Sequence, residues 1–358
     1  MKAGSPEPEP AASVTLAAER LQAWVQELLE GAALVEEAAA VVAESLVETN
    51  LRGIDSHGVL RVPIYIERLR AGLVNSDPEP FVVKEDGAVA VVDADGGPGQ
   101  VVGYFATDLA VRLAGEHGVG VVTVRGSSHY GAAGLYALRA ARQGLLALST
   151  TNAEPYVVPY GGAGAALGTN PIAFAAPSTD AIFVLDMATS QVAIGKVFLA
   201  REQGRAIPET WAVDERGAPT ADADQARWAV PLGGYKGYGL ALMVEVLSGL
   251  LAGAGFTHSI GDMYNDFSRA QDVGHFFLVI DPERTVGRDA FADALERLLG
   301  ELRANPPAPG FDEVLVAGDP ELRTQSERAR DGIPLPPSLF ETLASLSREL
   351  QVDVPATG

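Results

Sequence analysis

Between residues 76 and 285 the chain alternates two kinds of apolar pattern, and this alternation constrains the fold most. The runs AVAVVDA (88–94), VGVVTV (119–124), LLALSTT (145–151), AIFVLDM (181–187) and HFFLVID (275–281) are short and rich in β-branched and aromatic residues. They predict strands. Between them VGYFATDLAVRLAGEHG, GAAGLYALRAARQG and GYGLALMVEVLSGLLAG repeat apolar residues every three or four positions up to a closing glycine, which predicts helices. On either side the helical period takes over, at 14–75 and again at 286–350, where ANPPAPGFDE and DGIPLPPS interrupt it. The pattern predicts an α/β domain over 76–285 and a discontinuous helical domain, whose first part at 14–75 packs against the return at 286–350. The first 13 residues, MKAGSPEPEPAAS, read as a disordered tail, and 351–358 as a second tail.

Charge and cysteine usage narrow the function. Lys and Arg number 26 against 47 Asp and Glu, a formal charge of −21, which repels phosphate backbones and argues against a nucleic-acid partner. With no cysteine, disulfides, thiol catalysis and cysteine-held metals are excluded. The most apolar long stretch, GLALMVEVLSGLLAGAGF, carries Glu245, so no membrane span is expected. The N-terminus has prolines and glutamates where a signal peptide needs an apolar core, and a cytoplasmic protein is expected.

Several familiar signatures are missing: GxGxxG, GxxxxGK[ST], HExxH, GxSxG and any histidine pair at metal-ligand spacing. What remains is a set of polar junctions. In RGIDSHGVLRVPIY, His57, Arg61 and Tyr65 recur every four residues, which brings them to one helix face; equally, Asp55-Ser56 can cap a helix starting near Val59. His129, in VRGSSHYGAAG, is expected at a helix start, as a neutral proton acceptor or as a plain cap. Asp186 is delivered by a strand into a Thr189-Ser190 turn, expected to be an Asx or Ser turn between two strands or a ligand contact. Lys236, after the glycines of PLGGYKGYG, suits a phosphate at a helix N-terminus or simply ends a turn. Thr169 and Asn170, in GGAGAALGTNPIAFAAP, face a ligand or close a glycine-rich turn. His117 is explained by the negative end of its helix, and His258 and His275 receive no role.

RGIDSHGVLRVPIYIERLRAG, SSHYGAAGLYALRA, YGGAGAALGTNPIAFAAP, LDMATSQVAIGKV, PLGGYKGYGLALMVEVLSG and GHFFLVIDP follow one another along the chain. Together they resemble the type 2 malate/lactate dehydrogenase family, over about residues 14–345. The resemblance implies a non-Rossmann NAD(P)-binding α/β domain with a mixed or antiparallel sheet, and a homodimer. It implies His129 as proton acceptor and donor, with His57 beside it in catalysis. Ser56, Arg61, Tyr65, Thr169 and Asn170 fall to the substrate; Ser128, Asn152, Asp186, Thr189, Ser190 and Lys236 fall to the cofactor, NAD in preference to NADP. No metal is implied.

Three departures stand out. AGD (Ala317–Asp319) replaces the family's PGE, Ile194 stands where relatives carry arginine, and Glu154 adds a negative charge expected to disfavour a dicarboxylate substrate. The expected reaction is hydride transfer between a nicotinamide and a small 2-hydroxy acid or its 2-oxo acid. Two other readings stand beside it: reduction of the C=N bond of a cyclic imino acid, and a non-redox protein that binds a phosphate ligand.

Overall fold

The computed structural model describes residues 13–356, so apart from Ser13 the expected N-terminal tail lies outside the described residues. In chain order they form strand β1 (Val14–Leu16), helices α1 (Ala18–Gly31), α2 (Glu36–Leu51) and α3 (Val62–Arg70), then β2 (Phe81–Asp86) and β3 (Val89–Asp93). Next come α4 (Gly99–His117), β4 (Val119–Ser127), α5 (Gly134–Ala141), β5 (Leu146–Thr151), β6 (Ile172–Pro177), β7 (Ile182–Met187) and α6 (Ile194–Glu202). The chain closes with β8 (Ala212–Val213), β9 (Trp228–Ala229), α7 (Tyr235–Val244), β10 (Val273–Ile280), α8 (Arg288–Arg303), α9 (Asp319–Asp331), β11 (Ile333–Leu335) and α10 (Pro337–Leu350).

Two compact units emerge: residues up to Glu67 with those from Glu321 onward, and Arg68–Pro320. These dividing points differ from 75 and 286, so α8 belongs to the larger unit rather than to the helical return.

The smaller unit is built on amphipathic helices. α1 buries Leu21, Trp24, Val25, Leu28 and Leu29, a stripe at three- and four-residue spacing, and α10 buries Leu339, Leu343 and Ala344. Trp24 joins the two: its ring lies 5.5 Å from that of Phe340 and its Nε1 donates to Ser347 Oγ at 2.7 Å. β1 pairs antiparallel with β11, Val14 opposite Leu335 and Leu16 opposite Ile333. Three residues are too few to show alternation, so the sequence pattern predicts helix around β1 and a break around β11 instead.

The larger unit holds a seven-stranded sheet in the order β2-β3-β4-β10-β5-β6-β7. Only β3 and β4 run parallel; every other neighbouring pair is antiparallel, which makes the sheet mixed. β10 lies at its centre and is the most apolar strand, as expected for one covered on both faces. On one face Phe277 meets Tyr136 of α5 edge-on at 5.6 Å. On the other, Thr150 bonds Ser248 of the helical segment after α7 at 2.8 Å.

The helix expected over 237–253 changes character midway: α7 runs into a π-helical segment at Glu245–Leu250. The second strand expected after the Thr189-Ser190 turn is instead α6, whose Val197 and Ala200 pack with Val192, Ile207 and Ala212. No helix among the described residues is long and apolar enough to cross a membrane.

Candidate active site

In the smaller unit, Asp55–His57 and Val59–Arg61 are two successive 3₁₀ turns leading into α3. His57, Arg61 and Tyr65 therefore do not share one regular helix, and the fourfold spacing spans a break at Gly58. Asp55 is not a cap. Its carboxylate takes Arg328 Nη1 and Nη2 at 2.6 and 2.9 Å, a bidentate pair, and accepts Asn50 Nδ2 at 2.6 Å. Asn50 Oδ1 in turn accepts the amide of Val59 at 2.8 Å. The chain passes so close to Asn50 that a Cβ at Gly58 would lie 2.1 Å from that oxygen, so only glycine fits.

On this frame Ser56 Oγ sits 2.9 Å from His57 Nδ1. Burial, and then the charge of Arg61, lower the His57 pKa to about 4, so the ring is neutral near pH 7. Neither Asn50 nor Arg328 carries a sequence signal for this role; nothing local to RGIDSHG points to an arginine 273 residues away.

In the larger unit, β4 ends at Ser127 and α5 begins only at Gly134. His129 is thus on a loop five residues before the helix, neither at the helix start nor a cap of α5. Four contacts hold this loop. Ser128 Oγ donates to Gly97 O at 3.0 Å, the His129 amide to Gln271 Oε1 at 3.1 Å, and the Gly131 amide to His129 Nδ1 at 3.3 Å. Tyr136 Oη donates to the Tyr130 carbonyl. Because a backbone amide can only donate, Nδ1 accepts and the neutral ring carries its proton on Nε2.

Asp186 reaches the same place from β7: its Oδ2 accepts the Gly134 amide at 2.8 Å, setting a carboxylate against the first turn of α5. Ser128, His129 and Asp186 are thereby brought around one loop. Gln271 is only 2% exposed and its Nε2 has no hydrogen-bond partner among the described residues.

The other assigned residues cluster differently. Thr189 donates through its amide and Oγ1 to Thr169 O at 2.9 and 3.0 Å, and through Oγ1 to Asn170 O at 3.0 Å. Asn170, buried with φ 37°, donates through Nδ2 to Ala241 O at 3.0 Å and to Glu245 Oε2 at 2.8 Å. Its Oδ1 is buried with no partner among the described residues. Ser190 Oγ donates to Val192 O at 2.9 Å. Asn152 uses both ends of its amide inside the fold, on Gly255 O at 2.8 Å and the Gly274 amide at 3.0 Å.

Lys236 is exposed on the first turn of α7, after Gly233 and Gly234, both with positive φ. The amides of Tyr235 and Lys236 make no hydrogen bond among the described residues. Two open amides and an ammonium at a helix start fit a dinucleotide's phosphates.

The departures find physical explanations. Asp319 pairs with Arg303 at 2.7 Å and accepts the Val316 amide at 3.0 Å, which ties the AGD loop into α8 and α9. Ile194 packs against the cluster around Val197. Glu154 requires a correction. It is 7% exposed, accepts the Met263 amide at 3.3 Å and faces the charge of Arg68, while burial raises its pKa. Arg68, itself 1% exposed, holds the carbonyls of Met263, Asp266 and Arg269 at 3.1 Å each. Glu154 is committed to this loop anchor, so it gives no reason to expect rejection of a dicarboxylate.

A family model described as malate/L-lactate dehydrogenase matches residues 16–344. The malate dehydrogenase of Pyrococcus horikoshii is 38% identical over 345 residues, covering 94% of this chain and 95% of that protein. Ureidoglycolate dehydrogenase (NAD(+)) of Escherichia coli O157:H7 is 40% identical over 329 residues, covering 91% and 94%. Among solved structures, sulfolactate dehydrogenase from Methanocaldococcus jannaschii matches with a TM-score of 0.90 at 38% identity, covering 95% of this chain and 98% of that one.

Proposed function

The chain belongs to the malate/L-lactate dehydrogenase family, and from that premise we propose that it interconverts a small 2-hydroxy acid and its 2-oxo acid with NAD, in a non-Rossmann cofactor-binding domain. The observation that carries the proposal is the mounting of His129: a loop pinned through Ser128, His129, Tyr130 and Gly131, with the Asp186 carboxylate at its far end. When bound, NAD supplies the hydride acceptor, or in reduced form the donor.

The residues divide the remaining work. His129 takes the hydroxyl proton at Nδ1, the ring nitrogen that carries no hydrogen in the neutral form, in oxidation and returns it to the carbonyl oxygen in reduction. Charging the ring places a proton on Nδ1 as well, which ends the long 3.3 Å contact from the Gly131 amide. Arg61 grips the substrate carboxylate, its planar fork matching two oxygens. His57, neutral and held by Ser56, orients the reacting oxygen together with Tyr65. Lys236 and the open amides of α7 take cofactor phosphate. Asp186 sets the helix start behind the His129 loop, while Thr169, Asn170, Asn152, Thr189 and Ser190 shape the surrounding turns.

The reading extends to a cytoplasmic homodimer. α7 and the turns after it leave Met243, Val246, Leu250 and Leu251 40–57% exposed, an apolar stripe that a second copy would cover.

The test is nicotinamide absorbance at 340 nm with a panel of 2-hydroxy acids, 2-oxo acids and one cyclic imino acid. We expect turnover with at least one hydroxy acid, and a loss on the order of a hundredfold in His129→Asn. Turnover of the imino acid alone would move the chemistry to C=N reduction. No absorbance change with any compound, despite NAD binding, would remove the redox reading.

A further inference from the structure

His275 is fully buried in the central strand, and nothing in the reaction uses it. Resting on the role given to His129, we propose that His275 is a positioning residue, a clamp that holds through Ser127 and Tyr130 the loop on which His129 is mounted.

The clamp begins with an irregular register. β10 pairs Val273 with Ser127 and then His275 with Val124, so β4 spends three residues where β10 spends two. The extra residue is a bulge, with Gly126 at φ 66° supplying the left-handed conformation, and bulges re-aim the side chains beside them. Here Ser127 Oγ comes to 2.8 Å from His275 Nε2. On the opposite side Thr151 Oγ1 of β5 lies 2.8 Å from Nδ1. One imidazole therefore ties three adjacent strands at the end from which the His129 loop departs.

Hydrogen counting orients it. Thr151 has one hydroxyl hydrogen, and the carbonyls of Gly274 and Asn152 each lie 3.0 Å away. Given to either, that hydrogen leaves Nδ1 as donor to Thr151 and Nε2 as acceptor from Ser127, whose other acceptor, the Ser128 carbonyl, is farther off at 3.3 Å. Burial lowers the His275 pKa to about 3, so this neutral form persists at any working pH.

The ring also fixes the loop by its face. Tyr130 stacks on it with centroids 4.4 Å apart and planes at 6°, and Tyr136 stacks on Tyr130 at 4.5 Å. Tyr130 Oη is bonded to Ser149 Oγ at 3.2 Å. His129 thus sits between two residues, Ser127 and Tyr130, that one ring holds in place. β10 has no slack to shift: a Cβ at Gly274 would lie 1.9 Å from Ser248 O.

Ser127→Ala removes one clamp bond and leaves every ring in place, while Ser127→Thr keeps the hydroxyl. With the hydroxy acid that the parent oxidises, we expect Ser127→Ala to lower kcat on the order of tenfold or more, as small misplacements of reacting groups do. The KM for NAD should stay unchanged, the solvent deuterium isotope effect on kcat should rise, and Ser127→Thr should recover both. Unchanged kcat and isotope effect in Ser127→Ala, whatever happens to its Tm, would overturn the proposal. If the parent oxidises no acid, the reading of function fails, and the clamp is decided by ring-nitrogen NMR of histidine-labelled chain. The proposal then requires a protonated Nδ1 on His275 and His129 ring signals that move in Ser127→Ala; unmoved His129 signals refute it.

Discussion

Lowering the pH from 7.5 to 5.0 should weaken the larger unit, and His275 sets a share of the loss that can be calculated. Its folded pKa, about 3, lies below the ordinary value of 6.5. The folded state therefore binds fewer protons than the unfolded one, and stability falls as pH drops through that interval. Above 6.5 both states hold the ring neutral and the effect vanishes. At pH 5.0 the difference is about 1.5 pH units, or about 2 kcal/mol, roughly a thirtyfold change in the folded-to-unfolded ratio. No discount for solvent applies, because the residue is 0% exposed.

The assay is urea unfolding in a Trp24→Phe background, where fluorescence comes from Trp211 and Trp228 of the larger unit. His275→Gln has lower stability throughout, but its loss between pH 7.5 and 5.0 should be smaller than the parent's by about 2 kcal/mol. Equal losses in the two proteins would refute the buried, neutral imidazole and the hydrogen counting built on it. Asp281, whose carboxyl is held below its usual range by Arg288, also weakens the fold in acid, equally in both.

Arg61→Lys should raise the KM for the hydroxy acid and cost about 2–4 kcal/mol in kcat/KM, since an ammonium cannot reproduce the guanidinium fork; unaltered kinetics remove Arg61 from the carboxylate. Lys236→Ala should weaken NAD binding in a fluorescence titration with Tm unchanged, because the side chain is exposed; an equal Kd leaves Lys236 with only its turn. Val246→Glu with Leu250→Glu should convert a sedimenting dimer to a monomer, and a parent that sediments as a monomer dismisses the shared face.

Legibility in the sequence followed the reach of the forces involved. β4 and β10 showed because their Val and Phe runs carry the strand signal themselves. β2 did not: all six of its residues are exposed at a sheet edge, so no buried face imposes alternation. β6 was hidden by the glycines and alanines before it, and α6 by the expectation that a polar turn joins two strands. At the site, the resemblance assigned His129 and Arg61, yet spacing alone left His57, Arg61 and Tyr65 undecided. His275 and Gln271 earned nothing from their neighbours in the chain. The partners of His275 lie 124 and 148 residues away, and such contacts leave no local period to detect.

The bond between Arg328 and Asp55 has a consequence for synthesis. The turn that carries Ser56 and His57 is anchored by an arginine made 273 residues later, and β1 waits longer still for β11. At roughly 5–20 residues per second, the interval is about 14–55 s on the ribosome. Throughout it the apolar stripe of α1, Leu21 to Leu29, has no α10 to cover it. The larger unit, continuous from Arg68 to Pro320, can close first. The earliest-made helices of this protein therefore finish folding last, and a chaperone that shields Trp24 during the delay covers the stripe that α10 later takes over.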